Sequence, residues 1–215
     1  MVSETSVTLT PKASIHLVRK LWHSGTGALG IVILHTGSWE ATYLGRFLIL
    51  LALFAFFFEW LRLKFHIINQ LFCRIAGPLM RENEVNAPTG FAFYALGVGL
   101  TLLFFDYHVA LLACSYLIFA DPLASLIGVK YGKTKIWNGR SLEGTFAFFT
   151  VALMINLYFY HQGIFVDVKN FALFSIITAI AAAVSEVVCH GKYLDDNMVI
   201  PLVAGSIIAF SYRLF

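Results

Sequence analysis

The sequence predicts an all-α, polytopic membrane bundle, and three observations carry that expectation. Of the 215 residues, 59% are apolar and 13% charged, half of the ~25% charge that lets a soluble domain be wetted all round. Mean hydropathy is +0.79. Apolar runs long enough to cross a ~30 Å hydrocarbon layer recur seven times, at 18–36, 41–61, 89–105, 108–130, 142–161, 170–190 and 198–214. None alternates with the period of two that a barrel strand needs, so the backbone amides must be satisfied inside helices.

The polar segment 1–17 precedes Arg19-Lys20 and the first span. We expect that span to be retained and not cleaved as a leader. Its uninterrupted apolar run is only Ala28 to Leu34, flanked by His23 and His35. His23, Gly27 and Gly30 continue a stripe from Arg19 that suits either a cavity or close helix packing. The second span ends near Glu59. Residues 62–88 differ: Phe65, Ile68, Leu71, Phe72, Ile75 and Leu79 recur at helical spacing among basic residues, which predicts an interfacial amphipathic helix and loop closed by Gly77-Pro78. In the fourth span Asp121, Ser125 and Gly128 share one face at i, i+4 and i+7. Pro122 deprives that helix of a bond to the Ile118 carbonyl, so the pair reads either as a kink or as a functional intramembrane carboxylate.

The loop GKTKIWNGRSLEGT, 132–145, gathers Lys133, Lys135 and Arg140 before Ser141, which is placed to cap the fifth span, with Glu143 and Gly144 in its first turn. A helix start framed by three cations suits a polyphosphate; the same cations also satisfy the positive-inside rule. Glu186 closes the sixth span, and Asp195-Asp196-Asn197 open the seventh, as a cap or as more than a cap needs. With Asp121 these carboxylates supply the hard oxygen ligands that Mg²⁺ takes when it accompanies a nucleotide.

With the N-terminus inside, twelve of the 15 Lys and Arg fall on inner segments (Lys12, Arg19, Lys20, Arg62, Lys64, Arg74, Arg81, Lys130, Lys133, Lys135, Arg140, Lys192), leaving Arg46, Lys169 and Arg213. That bias predicts a cytoplasmic N-terminus. The ionisable residues of the spans share the same side: Asp121 is nine residues before Lys130, about 13 Å from that exit. We therefore expect a polar site opening to the cytoplasm. There is no GxxxxGK[ST] loop and no kinase-type glycine-rich loop, since the GxGxxG of Gly25 to Gly30 lies within the first apolar span. Cys73, Cys114 and Cys189 lie far apart and read as packing, as do the methionines. No repeat or linker divides the chain, so one membrane-embedded domain is expected. Net charge is only +3, and no nucleic-acid partner is expected.

Three blocks then carry a resemblance: ADPLASLIGVKYGKTK (120–135) with NGRSLEGTFAFF (138–149), SEVVCHGKYLDDNMVIPLVAG (185–205), and the opening RKLWHSGTG (19–27). Together they resemble the CTP-dependent lipid kinase family that includes dolichol kinase, phytol kinase and the CTP-using diacylglycerol kinases. The resemblance implies transfer of the γ-phosphoryl of CTP, with Mg²⁺, to a lipid alcohol such as a polyprenol, phytol or diacylglycerol. It implies Asp121 at the metal and nucleotide site, with Asp196 a second metal ligand. Lys133, Lys135, Arg140, Ser141, Glu143 and Gly144 fall in the CTP-binding loop, and Glu186, Asp195, Asp196 and Asn197 complete the site. His23 is assigned to the lipid head. The sequence departs where Ala120 and Arg140 stand in place of the common Gly and Lys. Phosphatidate cytidylyltransferases, which share the Asp helix and the basic loop, are the alternative. A membrane transporter is the alternative of another class, disfavoured by few polar residues in the outer halves.

Overall fold

The computed structural model describes residues 17–37, 39–189 and 195–215. The expected polar segment 1–17 falls outside them except for Leu17, as do Lys12 and Lys192. In chain order the helices are α1 (Leu17–His35), α2 (Ala41–Lys64), α3 (His66–Ala76), α4 (Gly90–Phe104), α5 (Tyr107–Ser115), α6 (Asp121–Tyr131), α7 (Leu142–His161), α8 (Phe171–Val188) and α9 (Asp196–Leu214). All seven apolar runs are thus helical, within a few residues of their expected ends. Among the described residues no extended strand forms, and Lys135 and Ser141 make an isolated bridge.

Among the described residues, five helices are long and apolar enough to cross a membrane: α2, the Tyr107–Tyr131 rod that joins α5 to α6, α7, α8 and α9. α4 is apolar but has only 15 residues. α1 has 19 and is less apolar, carrying Arg19, Lys20 and His23. The rod is the pillar of the bundle: 67% of its apolar window is buried, against 17% for α2 at the periphery. Around it α2 lies along α4, α4 against α9, α9 against α8, α8 against α7, and α7 against α6. Small residues let these backbones approach. A Cβ on Gly99 would lie 2.9 Å from the Gly45 carbonyl oxygen, and one on Gly97 would lie 2.6 Å from the Asn197 carbonyl oxygen. The second contact seats the start of α9 on α4.

Apolar side chains also cover the outside. Leu50, Phe54 and Phe57 of α2, Phe146 of α7, and Ile180 and Val184 of α8 are exposed. Surfaces of this kind are not sustained in water and suit acyl chains. On α3, Ile67, Leu71 and Ile75 are exposed at i, i+4 and i+8 while Cys73 is buried, so its apolar face turns outward.

A buried polar network fixes the strap between α3 and α4. Arg62 is fully buried; it donates to Glu59 (2.8 Å), Asn69 (2.7 Å) and the carbonyls of Glu84 (2.9 Å) and Ala87 (2.7 Å). Thr89 donates to the other oxygen of Glu59 at 2.6 Å. A charge buried this deeply is tolerated because its donors find acceptors and a carboxylate partner. The strap carries Arg81 and Glu84 toward the site.

Candidate active site

The site begins with a defect in the rod. Pro122 has no N–H, and its ring displaces the carbonyl four residues back, so the chain widens into a π turn over Tyr116–Ala120 just before Asp121. The carbonyls of Leu117 and Ile118 are left without the amide of residue 122. Both find donors on α1: Ser24 Oγ lies 2.9 Å from the Ile118 oxygen, and His23 Nε2 lies 3.0 Å from the Leu117 oxygen. Contact is close because Gly27 faces this turn, where a Cβ would fall 2.4 Å from Ile118 Cγ1. A kink and a placed carboxylate are therefore one feature.

The loop from 132 to 141 folds back on itself. Leu142 N–H donates to the Thr134 carbonyl and Ile136 N–H to the Arg140 carbonyl, both at 2.9 Å. Asn138 turns the tip with a left-handed φ of 56° and bonds to the Val187 carbonyl at 3.2 Å. This ties the loop to the end of α8 and aims Arg140 inward. Its guanidinium pairs with Glu186 of α8 at 2.8 Å and with Asp196 of α9 at 2.7 Å. Ser141 caps α7 as expected, accepting from the Gly144 amide at 3.1 Å. Asp195 caps α9, accepting from the Asn197 amide at 3.0 Å and from its side chain at 2.6 Å. Asn197 also reaches the Gly90 carbonyl at 3.4 Å, linking α9 to α4.

Asp121, Glu186 and Asp196 thus meet at one end of the bundle, with Asp195 beside them. The charges of Asp196, Arg140, His23 and Arg81 all act on Asp121. Burial, and then the adjacent Asp196, push the Asp195 carboxyl up to about 7. Four buried side-chain polar atoms among the described residues lack a hydrogen-bond partner. Three belong to this cluster: Lys20 Nζ, Asp121 Oδ1 and Glu186 Oε2. Buried polar groups are ordinarily satisfied, so such a concentration marks a place kept open for a ligand.

The remaining expected site residues make the following contacts. Lys133 and Lys135 are exposed on the loop. Glu143 is half-buried beside it, its carboxylate accepting from the Thr134 amide at 3.1 and 3.3 Å. Gly144 serves packing, since a Cβ there would lie 2.9 Å from the Ala124 carbonyl oxygen. His23 serves the π turn, its ring packed at a tilt of 59° against Tyr94 with centroids 4.5 Å apart.

Two cations that the sequence reading did not place in the site reach it. Lys20, one turn before His23, lies in the field of Asp121, Arg81 and Arg140. Arg81 comes from the strap. Its amide donates to Glu84 at 2.9 Å, and Glu84 is held by Arg19 at 2.7 Å. Burial opposes the charge of Arg81, but Asp196, Glu84, Asp195 and Asp121 outweigh it and raise its pKa. The only sequence signal for either was the run RKLWH at the head of α1. The cluster as a whole sets four carboxylates against Lys20, Arg81 and Arg140.

No family model matches the chain, and no solved structure matches it. Curated relatives do. The CTP-dependent diacylglycerol kinase 1 of Saccharomyces cerevisiae is 29% identical over 212 residues, covering 86% of this chain and 70% of that protein. Its namesake in Schizosaccharomyces pombe is 30% identical over 165 residues, 72% of this chain and 74% of that protein. That of Eremothecium gossypii is 31% identical over 175 residues, 71% and 55% of the respective lengths. Likeness on this extent, joined to a membrane bundle with a mixed-charge cluster at one end, places the chain in the CTP-dependent lipid kinase family.

Proposed function

We propose that this protein transfers the γ-phosphoryl group of CTP to the hydroxyl of a membrane lipid alcohol, with diacylglycerol the first acceptor to test. The names of its relatives supply the donor and the acceptor class. The observation that carries the reading at the level of chemistry is the meeting of Asp121, Glu186 and Asp196 with Lys20, Arg81 and Arg140, where three buried polar atoms lack partners. Phosphoryl transfer asks for positioning and neutralisation of charge more than for covalent chemistry, and a cluster of both signs offers these.

Mg²⁺ fits the open oxygen of Asp121, with Asp196 as its companion. Among the described residues no three His, Cys, Asp or Glu side chains enclose a metal by themselves. That suits an ion held by one or two carboxylates and completed by phosphate oxygens and water. When bound it neutralises charge on the phosphates. We expect chelation with EDTA to abolish transfer, and Mg²⁺ to bind the protein at least tenfold more weakly without CTP than with it, read by titration calorimetry.

Glu186 keeps one oxygen without a partner and is our choice to accept the proton. The lipid hydroxyl oxygen forms a bond to the γ-phosphorus, the bond from that phosphorus to the β–γ bridging oxygen breaks, CDP leaves, and the hydroxyl proton passes to Glu186. Lys20 and Arg81 face the phosphates. The whole chain acts as one catalytic domain, with α3 lying in the interface and the cluster at the cytoplasmic surface, where the basic residues concentrate. The acyl chains stay in lipid while the headgroup reaches the cluster.

The test is direct: purified protein in detergent, γ-labelled CTP or ATP, Mg²⁺, and a panel of diacylglycerol, phytol and polyprenols. Label in diacylglycerol from CTP, with CDP released, supports the reading. Release of pyrophosphate with no labelled lipid overturns it.

A further inference from the structure

Arg140 sits in the loop expected to bind the nucleotide, yet its charge is already committed. One nitrogen of its guanidinium lies 2.8 Å from Glu186 and the other 2.7 Å from Asp196, and both carboxylates are nearly buried. These partners come from different helices, α8 and α9, whose facing ends are otherwise separated in sequence by residues 189–195. The loop is shaped to deliver this bridge: its tip is bonded to the Val187 carbonyl, and its return strand leads through Arg140 into the Ser141 cap.

The contrast with the other cations is direct. Lys20 Nζ is buried with no hydrogen-bond partner, and the guanidinium of Arg81 has no ion pair within 4.0 Å among the described residues. Lys20 therefore has its ammonium open to an incoming phosphate oxygen, whereas Arg140 has a donor on each terminal nitrogen committed to a buried carboxylate. A planar guanidinium presents two donors in a fixed fork and so sets the spacing of the groups it joins; an ammonium is a point charge and cannot.

We propose that Arg140 is a positioning residue that bridges Glu186 and Asp196 and holds them in register with Asp121, and that it is not a ligand of the CTP phosphates. The inference rests on the kinase reading. It gives the loop a second role, because besides carrying Lys133 and Lys135 at its surface the loop locks α8 to α9 from inside.

The experiment uses the full chain in detergent and two readings. The first is kcat and KM for CTP at saturating diacylglycerol. The second is the dissociation constant of a non-hydrolysable CTP analogue, measured by calorimetry in EDTA so that it reports contacts with the protein alone. In Arg140→Lys we expect kcat to fall at least tenfold, while KM for CTP and the analogue's dissociation constant stay within twofold. In Glu186→Gln, where one end of the bridge is already weakened, Arg140→Lys should cost less than threefold more. A tenfold rise in KM and in the dissociation constant with kcat within twofold overturns the inference, as does an unchanged kcat. Should Arg140→Lys fail to fold, Arg140→Gln retains a donor for one carboxylate and gives the same readings. Failure of the wild-type protein to label any lipid from CTP overturns the kinase reading instead, and is told apart because it occurs with Arg140 in place.

Discussion

Replacing Asp121 by Asn keeps its shape and removes its charge. Because its Oδ1 has no partner to lose, the melting temperature should hold within a few degrees while transfer falls about 10²-fold or more. A rate within threefold of wild type would remove Asp121 from the chemistry. Arg81→Ala should raise KM for CTP about ten- to a hundredfold, the effect of one lost charge-assisted bond of roughly 1.5–3 kcal/mol, with kcat less affected. The double change Lys133→Ala, Lys135→Ala should raise it less than about threefold at physiological salt, since both side chains are exposed and screened. Steady-state kinetics on the three proteins ranks them, and a larger effect from the lysine pair would move the phosphates to the loop. The carboxylates were legible in the sequence because each is costly inside a span and so must have a reason to be there. Lys20 and Arg81 were not. Their charges were already accounted for by membrane orientation, and no spacing rule brings residue 81 beside residue 196.

Helices α1 and α6 depend on one another through the π turn. His23→Ala and Ser24→Ala each remove one donor from a stranded carbonyl and should each cost about 1 kcal/mol of stability. Gly27→Ala places a methyl group against Ile118 and should cost about 1–3 kcal/mol. Chemical unfolding in detergent measures all three, and a His23→Ala protein of unchanged stability but weaker lipid KM would return His23 to the headgroup. Pro122 announced a disturbance in the rod, but whether a proline makes a kink, a break or a π turn is decided by what stands opposite. Here that is a pair of side chains about a hundred residues earlier. The caps at Ser141 and Asp195 were legible, because a cap is a local bond. The bridge from Arg140 to α8 and α9 was not, being a meeting of three separate elements.

For the bundle entire, all seven apolar runs proved helical, since burial of backbone amides in lipid leaves no other solution. Their order in space was not readable: the long spanning helices are apolar nearly all round, and it is glycine contacts such as Gly45 with Gly99 that sort neighbours. The orientation is open to measurement. The cysteines Cys73, Cys114 and Cys189 are buried, so a cysteine introduced at an exposed position reports alone. In sealed vesicles of known sidedness, Lys133→Cys should react with an impermeant maleimide from the cytoplasmic side and Lys169→Cys from the opposite side. The reverse pattern would place the cluster away from cytoplasmic CTP.

A π turn is a helix with one residue to spare. Deleting Phe119, whose ring faces outward, would let the rod close into ordinary winding while Tyr116 and Asp121 kept nearly their present bearings. What would go is the mooring. With the Ile118 carbonyl drawn back to the Leu123 amide, Ser24 would have nothing to hold, His23 alone would still meet the Leu117 carbonyl that Pro122 cannot serve, and Lys20 would drift from Asp121 although neither residue had been touched.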